Sequence, residues 1–378
     1  MRIGIDIRCF LKEETGVGIL FKKMLFELAE IDKENEYFLF SSSLKDRFKQ
    51  DKIPPFKKRH FIDCRIPVKA VNFTWYRMNW PVLDLFFRKK LDLTHSPTPL
   101  IVPTQGKKIV TVYDMFFLEH PRLSNREARK YFITRIGSSL EKANGVMTIS
   151  NESRNRILTY FPEVENKLEV IYPGVDHSFW AEVIPSELEN FQSEQNLPLP
   201  FLLFVGATEA RKNLINLLQA FFFVREKYND LSLVIAGRKG EEHNKVLEKI
   251  SELKLEDSVR ILSYVDEREL KYLYSLAELF VFPSWYEGFG IPMLEAMASG
   301  VPIAASETGA LPEVGGDAAF YFDPADAEDI AEKILALLGD NSMRMRLVQA
   351  GKKRILTFNW KKTADKTLDL YQKVKESR

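Results

Sequence analysis

Short apolar runs alternate with stretches of helical periodicity along most of the chain, which is the pattern of an α/β protein with parallel strands. In the first half the apolar runs predict strands at Ile3–Ile7, Tyr37–Phe40, Leu91–Leu93, Ile109–Val112, Gly145–Ile149 and Leu168–Ile171. Helical periodicity is clearest in Ile19–Ile31 and Glu127–Lys142. The first half therefore predicts a Rossmann-like unit.

The second half restarts the same alternation after residue 200. Its apolar runs predict strands at Phe201–Val205, Leu231–Ala236, Val259–Leu262, Leu279–Phe282, Pro302–Ala305 and Ala319–Phe322. The stretches between them predict helices at Leu214–Lys227, His243–Leu253, Glu267–Leu276 and Pro292–Ala298. Because ligands of open α/β sheets bind beyond the carboxyl ends of the strands, we expect two Rossmann-like domains facing each other across an interdomain cleft.

The length of 378 residues also favours two domains, since it exceeds the size at which a single core usually stops growing. We assign residues 1–180 to an N-terminal domain and 200–358 to a C-terminal domain. Residues 181–199 are rich in Pro, Glu and Gln and lack periodicity, as expected of a linker. Residues 359–378 predict an amphipathic C-terminal helix, which could cross back to the N-terminal domain.

The composition, with 45% hydrophobic and 28% charged residues, is that of an ordinary globular protein. Every long apolar stretch is interrupted before it reaches a membrane-spanning length, and the N-terminus alternates like a strand rather than a signal peptide. We therefore expect a cytoplasmic protein. Cys9 and Cys64 form no Cys-x-x-Cys pair and are too few for a disulfide framework.

A net charge of +1 hides an asymmetry between the two halves. Residues 1–180 hold 30 Lys and Arg against 22 Asp and Glu, a net charge of +8, whereas residues 181–378 hold 24 against 31, a net charge of −7. Basic clusters such as Arg88-Lys89-Lys90 occur near Trp75 and Trp80. A basic, aromatic surface suits an anionic membrane face or a lipid-diphosphate acceptor, although solvated lysines beside core aromatics give the same pattern. We expect no nucleic-acid partner.

Two carboxylates surround a glycine turn that opens a predicted helix. Glu287 precedes the turn formed by Gly288 and Gly290, and Glu295 lies one turn into the helix. The first helical N–H groups are unpaired and the helix dipole favours an anion there, so the turn can hold a phosphate. Taken alone, the motif is equally compatible with a strand-to-helix turn carrying two solvated glutamates.

Arg211 and Lys212 follow the strand predicted at Phe201–Val205, within Gly206–Asn213. Arg can bind a diphosphate through two parallel hydrogen bonds, and Lys can bind it as a point charge. The alternative is that the pair lies at the solvated start of a helix, which is usual for an isolated Arg-Lys pair. The glutamate motif at a later strand end of the same sheet favours the diphosphate. No Asp-x-Asp precedes a suitable turn, so the sequence predicts no metal site.

Thr15-Gly16-Val17-Gly18 lies between the first strand and a helix, where its backbone could approach a diphosphate closely. The alternative is a dinucleotide fingerprint. Phe21 stands in place of the third glycine, and the second strand ends at Phe40-Ser41 with no acid for a ribose hydroxyl. NAD binding is therefore disfavoured.

The segment Glu-Gly-Phe-Gly-Ile-Pro-Met-Leu-Glu at 287–295, with seven residues between its glutamates, resembles the E-x7-E signature of the family 4 retaining glycosyltransferases of the GT-B fold. Further segments match that family in order, and the first two resemble the start of its mannosyltransferase B-like branch: Ile5–Arg8, Thr15–Gly18, Gly206–Asn213, Ser299–Pro302 and Gly309–Glu313. The resemblance covers nearly the whole chain.

The resemblance implies an acceptor-binding N-terminal domain, a C-terminal domain that binds a nucleotide sugar, and a role for each matching residue. Glu287 would contact the donor sugar, Glu295 the ribose, and Arg211 and Lys212 the diphosphate. Backbone groups at Gly16, Gly18, Gly288, Phe289, Gly290 and Ile291 would assist, and Tyr264 and Val265 would line the base pocket.

The chain departs from the family at Tyr113-Asp114, where His-Asp is usual at the end of a strand of the first domain. A phenol can donate a hydrogen bond to a sugar hydroxyl, as a histidine does, but it cannot become positively charged near neutral pH. By the resemblance, Tyr113 and Asp114 join Glu287 as catalytic candidates, and the identity of the donor stays open.

The resemblance thus implies a metal-independent retaining enzyme, without a cofactor, that moves a hexose to a saccharide or lipid-linked saccharide in cell-surface polysaccharide synthesis. The branch points to mannose from GDP-mannose; UDP-glucose or another nucleotide sugar is the alternative. Two other hypotheses remain, a non-catalytic relative that binds a nucleotide sugar and a nucleotide-sugar epimerase. The basic first half would allow peripheral contact with the inner face of the membrane.

Overall fold

The computed structural model describes residues 1–11, 16–121, 128–263 and 265–377. Two compact units divide the chain: unit 1 comprises Met1–Gly174 and Asn359–Arg378, and unit 2 comprises Val175–Phe358. Thr15 and Tyr264, which both belong to sequence motifs discussed above, lie outside the described residues.

Unit 1 contains a seven-stranded sheet in the order β3-β2-β1-β4-β5-β6-β7, with every described pair parallel. Its strands are β1 (Arg2–Asp6), β2 (Glu36–Ser42), β3 (Arg59–Cys64), β4 (Leu93–Ser96), β5 (Lys107–Thr111), β6 (Gly145–Thr148) and β7 (Leu168–Val170). Its α-helices are α1 (Gly16–Ile31), α2 (Val68–Phe73), α3 (Leu83–Phe87), α4 (Phe116–Glu119), α5 (Ile133–Lys142), α6 (Asn151–Tyr160) and, from the end of the chain, α16 (Trp360–Glu376).

Unit 2 contains a six-stranded parallel sheet in the order β10-β9-β8-β11-β12-β13. Its strands are β8 (Phe201–Val205), β9 (Ser232–Ala236), β10 (Val259–Leu262), β11 (Leu279–Phe282), β12 (Ile303–Ser306) and β13 (Ala319–Phe322). Its helices are α7 (His177–Ala181), α8 (Pro185–Gln195), α9 (Leu214–Arg225), α10 (His243–Glu252), α11 (Glu267–Leu276), α12 (Ile291–Ser299), α13 (Leu311–Gly315), α14 (Ala327–Gly339) and α15 (Asn341–Arg354). Both sheets have the strand order of a Rossmann unit.

Helix α16 completes the core of unit 1. It packs against α1 and buries Leu370, Tyr371 and Val374. The Tyr371 hydroxyl lies 2.7 Å from Nδ1 of the buried His95, whose Nε2 lies 2.8 Å from the Thr111 hydroxyl. Burial lowers the pKa of His95 to about 3, so the imidazole is neutral and joins the helix to two strands by hydrogen bonds without charge.

Several elements differ from the sequence expectations. The segment 181–199, expected to be a linker, contains the eleven-residue helix α8, which buries Phe191. Strand β3 was not predicted, because as an edge strand it is only half-buried and its apolar residues are interspersed with Arg59, His60 and Asp63. Helices α14 and α15 were not predicted either.

Candidate functional site

The predicted cations and the predicted carboxylate follow two neighbouring strands of unit 2. Strands β8 and β11 pair in parallel, with Leu202 opposite Leu279 and Leu203 opposite Phe280. The order of the sheet reverses between these two strands, because β9 and β10 extend from one and β12 and β13 from the other. Such a switch point is where open α/β sheets leave space for a ligand beyond the strands.

The loop after β8 is fixed by Asn213. This residue has a left-handed backbone (φ 56°), and its side-chain amide donates to the carbonyl oxygens of Pro283, at 3.0 Å, and Pro324, at 2.8 Å. The preceding turn of 3₁₀ helix spans Ala210–Lys212. The Lys212 Nζ lies 5.3 Å from the centre of the Phe282 ring. Both cations are therefore carried on a short, anchored turn.

The loop after β11 is bound to the first loop through its backbone. The Trp285 amide donates to the Arg211 carbonyl at 2.9 Å, and the Arg211 guanidinium donates to the Tyr286 carbonyl, also at 2.9 Å. The Ala310 amide donates to the Glu287 carbonyl at 2.9 Å. Three strand ends thus position Glu287.

The Glu287 carboxylate forms ion pairs with both cations. Its Oε2 lies 2.5 Å from the Arg211 Nη1 and its Oε1 lies 2.7 Å from the Lys212 Nζ. Glu287 is 7% exposed and Lys212 is 9% exposed, so the charges lie largely out of water. This arrangement satisfies the carboxylate with a charge-assisted hydrogen bond on each oxygen.

Burial and the neighbouring charges shift the pKa values of Glu287 and Lys212. Burial raises the pKa of Glu287, but the Arg211 and Lys212 charges outweigh it and bring the value to about 2. Burial lowers the pKa of Lys212, and Glu287 opposes that shift. Among the three ion-paired groups, two cations against one ionised carboxylate leave a net positive charge, and Glu209 is a weaker influence on Lys212.

Helix α12 begins at the glycine turn. Gly290 has a left-handed backbone (φ 100°) and precedes the helix, and Pro292 lies in the first turn. Gly288, Phe289 and Gly290 are buried, and Ile291 is half-buried. The positive end of the helix dipole therefore lies in the loop that carries Glu287.

Glu295 lies one turn into α12, as predicted, and is half-buried. The hydroxyl of the buried Tyr274 donates to Glu295 Oε2 and to the Pro292 carbonyl oxygen, each at 3.2 Å. Burial raises the pKa of Tyr274 well above its usual value, and Glu295 adds to the shift, so the phenol remains a donor. Tyr274 thus positions Glu295.

Comparisons with known proteins match both halves of the chain. The sequence profile described as Glycosyltransferase Family 4 matches residues 16–179, and that described as Glycosyl transferases group 1 matches residues 186–354. The O-antigen chain mannosyltransferase B of Escherichia coli is 30% identical over 297 residues, which cover 78% of this chain and 77% of that protein. The chain belongs to the family 4 glycosyltransferases.

Solved structures place the glycosyltransferase in the GT-B fold class. The sucrose-phosphate synthase of Thermosynechococcus elongatus superposes with a TM-score of 0.79 at 20% identity, covering 99% of this chain and 98% of the other. HepE of Anabaena, solved in complex with UDP-glucose, superposes with a TM-score of 0.74 at 16% identity, covering 99% of this chain and 100% of HepE. At these identities the likeness establishes the fold.

The other predicted residues of the glycosyltransferase lie elsewhere. Val265 is half-buried and follows β10 in unit 2. Gly16 and Gly18 lie in unit 1, within the first turn of α1 rather than in a turn before it.

Tyr113 and Asp114 also belong to unit 1 and follow β5. The Asp114 carboxylate accepts a hydrogen bond from the Phe116 amide at 3.1 Å, and the Tyr113 carbonyl accepts one from the Ser153 hydroxyl at 2.8 Å. The Tyr113 hydroxyl is buried, and no described residue forms a hydrogen bond with it. Burial raises the pKa of this phenol well above its usual value, and Cys9 shifts it further in the same direction, so the phenol stays protonated.

Asn213 and Tyr274 are supporting residues that sequence reasoning did not identify. Asn213 ends the Gly206–Asn213 motif. An Asn directly before a predicted helix is a signal for a left-handed residue, because Asn adopts that backbone conformation more readily than most residues. Tyr274 carries no such signal, because it is one of several aromatic residues in an amphipathic helix.

The described residues contain neither a metal-ligand cluster nor a membrane-spanning helix. Within the ranges given above, no group of three or more His, Cys, Asp or Glu side chains could hold a metal ion. Over the same ranges, every helix of this glycosyltransferase is too short or too polar to cross a membrane.

Proposed function

We propose that the protein is a retaining hexosyltransferase that moves mannose from GDP-mannose to a saccharide or lipid-linked saccharide in cell-surface polysaccharide synthesis. The observation that carries this proposal is the Glu287 carboxylate held between Arg211 and Lys212 at the switch point of unit 2. Support for mannose comes from the E. coli relative, whose name is that of an O-antigen chain mannosyltransferase.

The ion cluster suggests how a donor would bind. A nucleoside diphosphate brings at least two negative charges to a cluster with a net positive charge, and it competes with Glu287 for both cations. When Arg211 and Lys212 turn to the diphosphate, the Glu287 oxygens become available to accept hydrogen bonds from sugar hydroxyls. The carboxylate therefore holds the cations in place before the donor arrives and contacts the sugar afterwards.

The same residues would lower the barrier to transfer. Negative charge grows on the diphosphate as the bond to the sugar breaks, and Arg211, Lys212 and the α12 N-terminus stabilise it. We propose that this replaces a metal ion. In a retaining reaction the acceptor hydroxyl attacks from the face that the diphosphate leaves, and a diphosphate oxygen takes its proton. The protein acts mainly by positioning.

We also propose peripheral contact of unit 1 with an anionic membrane from the cytoplasmic side. Five large apolar side chains are exposed within a short stretch of unit 1: Ile66, Phe73, Met78, Trp80 and Leu85. Exposed Lys69, Arg77, Arg88, Lys89 and Lys90 accompany them. Such apolar and basic residues together favour an anionic lipid surface.

The membrane contact has its own test. Sedimentation with vesicles containing phosphatidylglycerol should decrease for Trp80→Ser and stay unchanged for Leu356→Ser, an exposed apolar residue of unit 2. Equal sedimentation of both variants and the wild type would rule the contact out.

The test of the donor is to incubate the protein with GDP-mannose or UDP-glucose and measure release of GDP or UDP. UDP-glucose is the second candidate because HepE, a neighbour in fold, binds it. Arg211→Ala should reduce release strongly, whereas Arg238→Ala, a cation after β9, should not. Nucleotide-sugar binding without release or transfer with any acceptor would identify a non-catalytic relative, and conversion of the donor without acceptor an epimerase.

The stereochemistry and metal requirement are tested separately. NMR of the product should show the anomeric configuration of the donor, and turnover should persist in EDTA. An inverted configuration would refute the retaining mechanism, and loss of turnover restored by a divalent cation would refute metal independence.

A further inference from the structure

A pocket lies wholly within unit 1. Its walls come from the π-helical turn Thr74–Met78, from the 100–101 segment and from helix α5. The polar and aromatic side chains that define it are Trp75, Arg77, Asn79, Arg135, Ser138 and Lys142.

The α5 wall follows from helical spacing. Arg135, Ser138 and Lys142 are at positions i, i+3 and i+7, so they line one face of the helix. Ser139 on the same face is buried, and its hydroxyl accepts a hydrogen bond from the Ile101 amide at 3.0 Å. This bond holds the apolar 100–101 segment against α5 and fixes the floor of the pocket.

The opposite wall is fixed by Trp75. This residue is 2% exposed, and the Arg8 guanidinium lies 4.7 Å from the centre of its ring. Arg8 in turn is held by the Asp6 carboxylate, with 2.7 Å between Arg8 Nη2 and Asp6 Oδ2. The turn that carries Arg77 is therefore anchored to the end of β1.

The pocket is positively charged and contains no compensating acid. Arg77, Arg135 and Lys142 line it, and no Asp or Glu is among the described lining residues. Among the residues that the structure describes, none accepts a hydrogen bond or forms an ion pair with these three cationic side chains. The Trp75 indole Nε1 is likewise buried with no acceptor in the described ranges. A buried indole N–H usually has a hydrogen-bond acceptor, and for Trp75 a ligand in the pocket would supply it.

We propose that this pocket binds a phosphate or diphosphate group of the acceptor substrate, which rests on the proposed transfer to a saccharide or lipid-linked saccharide. Two arginine forks and a lysine match the several oxygens and multiple charge of a phosphate. The exposed Phe73, Met78 and Trp80 on and beside the Trp75 turn suit an apolar group attached to that phosphate. The acceptor is then an anionic phosphorylated saccharide.

The test uses inorganic pyrophosphate and calorimetric titration of the full chain. Wild-type protein should show two binding phases, one in the pocket and one at Arg211 and Lys212. Arg135→Ala/Lys142→Ala should weaken one phase at least tenfold and leave the other, which Arg211→Ala should remove. Lys366→Ala, an exposed lysine of α16, serves as the control because it should leave both phases unchanged. Two unaltered phases in the double variant, or an equal loss in the control, would overturn the proposal.

Vesicles identify the source of the phosphate. Binding to vesicles with phosphatidylglycerol that falls in the double variant would point to a lipid-borne phosphate. Loss of pyrophosphate binding alone would point to a water-soluble phosphorylated acceptor, and both results support the pocket.

Nucleotide release from GDP-mannose without acceptor separates this proposal from the proposed function. It should be the same in the double variant and the wild type. If the wild type releases no nucleotide from any sugar donor but its pyrophosphate phase still depends on Arg135 and Lys142, the proposed function fails and the pocket stands.

Discussion

Gly309 lies against the backbone of Glu287. A β-carbon on Gly309 would come within 2.7 Å of the Glu287 carbonyl oxygen and 2.8 Å of its amide nitrogen, and the backbone of Gly309 is left-handed (φ 61°). No other residue type fits there without moving Glu287. The Gly-Ala-Leu-Pro-Glu motif after β12 therefore supports the carboxylate loop.

We expect Gly309→Ala to lower turnover at least tenfold, because the new methyl group displaces Glu287 from Arg211 and Lys212, and small misplacements at a reacting centre are costly. The measurement is nucleotide release from the sugar donor. Gly339→Ala is the control, since a β-carbon at Gly339 meets nothing within 4 Å. Normal turnover in Gly309→Ala would show that the loop adapts.

The Glu287 ion pairs should make stability depend on pH. The pKa of about 2 is below the ordinary value near 4.5, so the stabilisation is present above pH 4.5 and is lost as the pH falls towards 2. The lowered pKa corresponds to a contribution on the order of 3 kcal/mol to the free energy of unfolding. In urea unfolding at pH 7, Glu287→Gln should have a lower free energy of unfolding than the wild type. The difference between the two proteins should become smaller as the pH falls from 4.5 towards 2. Glu256 is exposed, so Glu256→Gln serves as the control and should show the same pH dependence of stability as the wild type. If Glu287→Gln also shows the wild-type pH dependence, the ion pairs do not stabilise the fold.

Glu287→Gln should also separate binding from turnover. Removing the carboxylate charge frees both cations, so nucleoside diphosphate should bind at least as tightly while turnover falls by orders of magnitude. Titration calorimetry and nucleotide release measure the two quantities. Weaker binding together with near-normal turnover would remove Glu287 from its proposed role.

Tyr113→Phe should affect catalysis without affecting folding. The Tyr113 hydroxyl is buried and has no partner among the described residues, so its removal should leave the thermal unfolding temperature unchanged or slightly raised. If the hydroxyl donates to a sugar, turnover should fall about tenfold, roughly the value of one hydrogen bond. Tyr113→His should have a higher turnover than Tyr113→Phe, because the imidazole can also donate a hydrogen bond. Full turnover in Tyr113→Phe would exclude the phenol from the reaction.

Tyr274→Phe should weaken nucleotide binding through Glu295. Loss of the hydroxyl releases Glu295 Oε2 from one of its donors, and we expect a two- to tenfold higher Kd for the nucleoside diphosphate, the range of a single hydrogen bond. Tyr228→Phe is the control, because no described residue accepts a hydrogen bond from Tyr228. An unchanged Kd would mean that Glu295 is positioned without Tyr274.

Most of the fold could be predicted because parallel strands are buried on both faces and stand out as apolar runs. Strands β8, β10, β11 and β13 have the predicted bounds. Strand β3 and helix α8 could not be found that way, since an edge strand and a surface helix contain mostly polar residues. Their positions depend on tertiary contacts.

Part of the candidate site could also be predicted, because its charges follow strand ends. Since β8 and β11 are neighbours, Arg211, Lys212 and Glu287 meet although 74 residues lie between Lys212 and Glu287. The mutual ion pairing was not predicted, because a ligand had been assigned to each side chain separately. The roles of Gly309 and Tyr274 depend on three-dimensional contacts that spacing does not reveal.

The return of α16 to unit 1 fixes the order in which the two folding units can be completed during synthesis. Met1–Gly174 leaves the ribosome lacking the helix that fills its core and supplies a hydroxyl to His95. Unit 2 is by then still to be translated, and it is whole before α16 emerges. The half of the protein made first is therefore finished last, and a nascent chain stalled before residue 359 would expose the apolar surface that Leu370, Tyr371 and Val374 later cover.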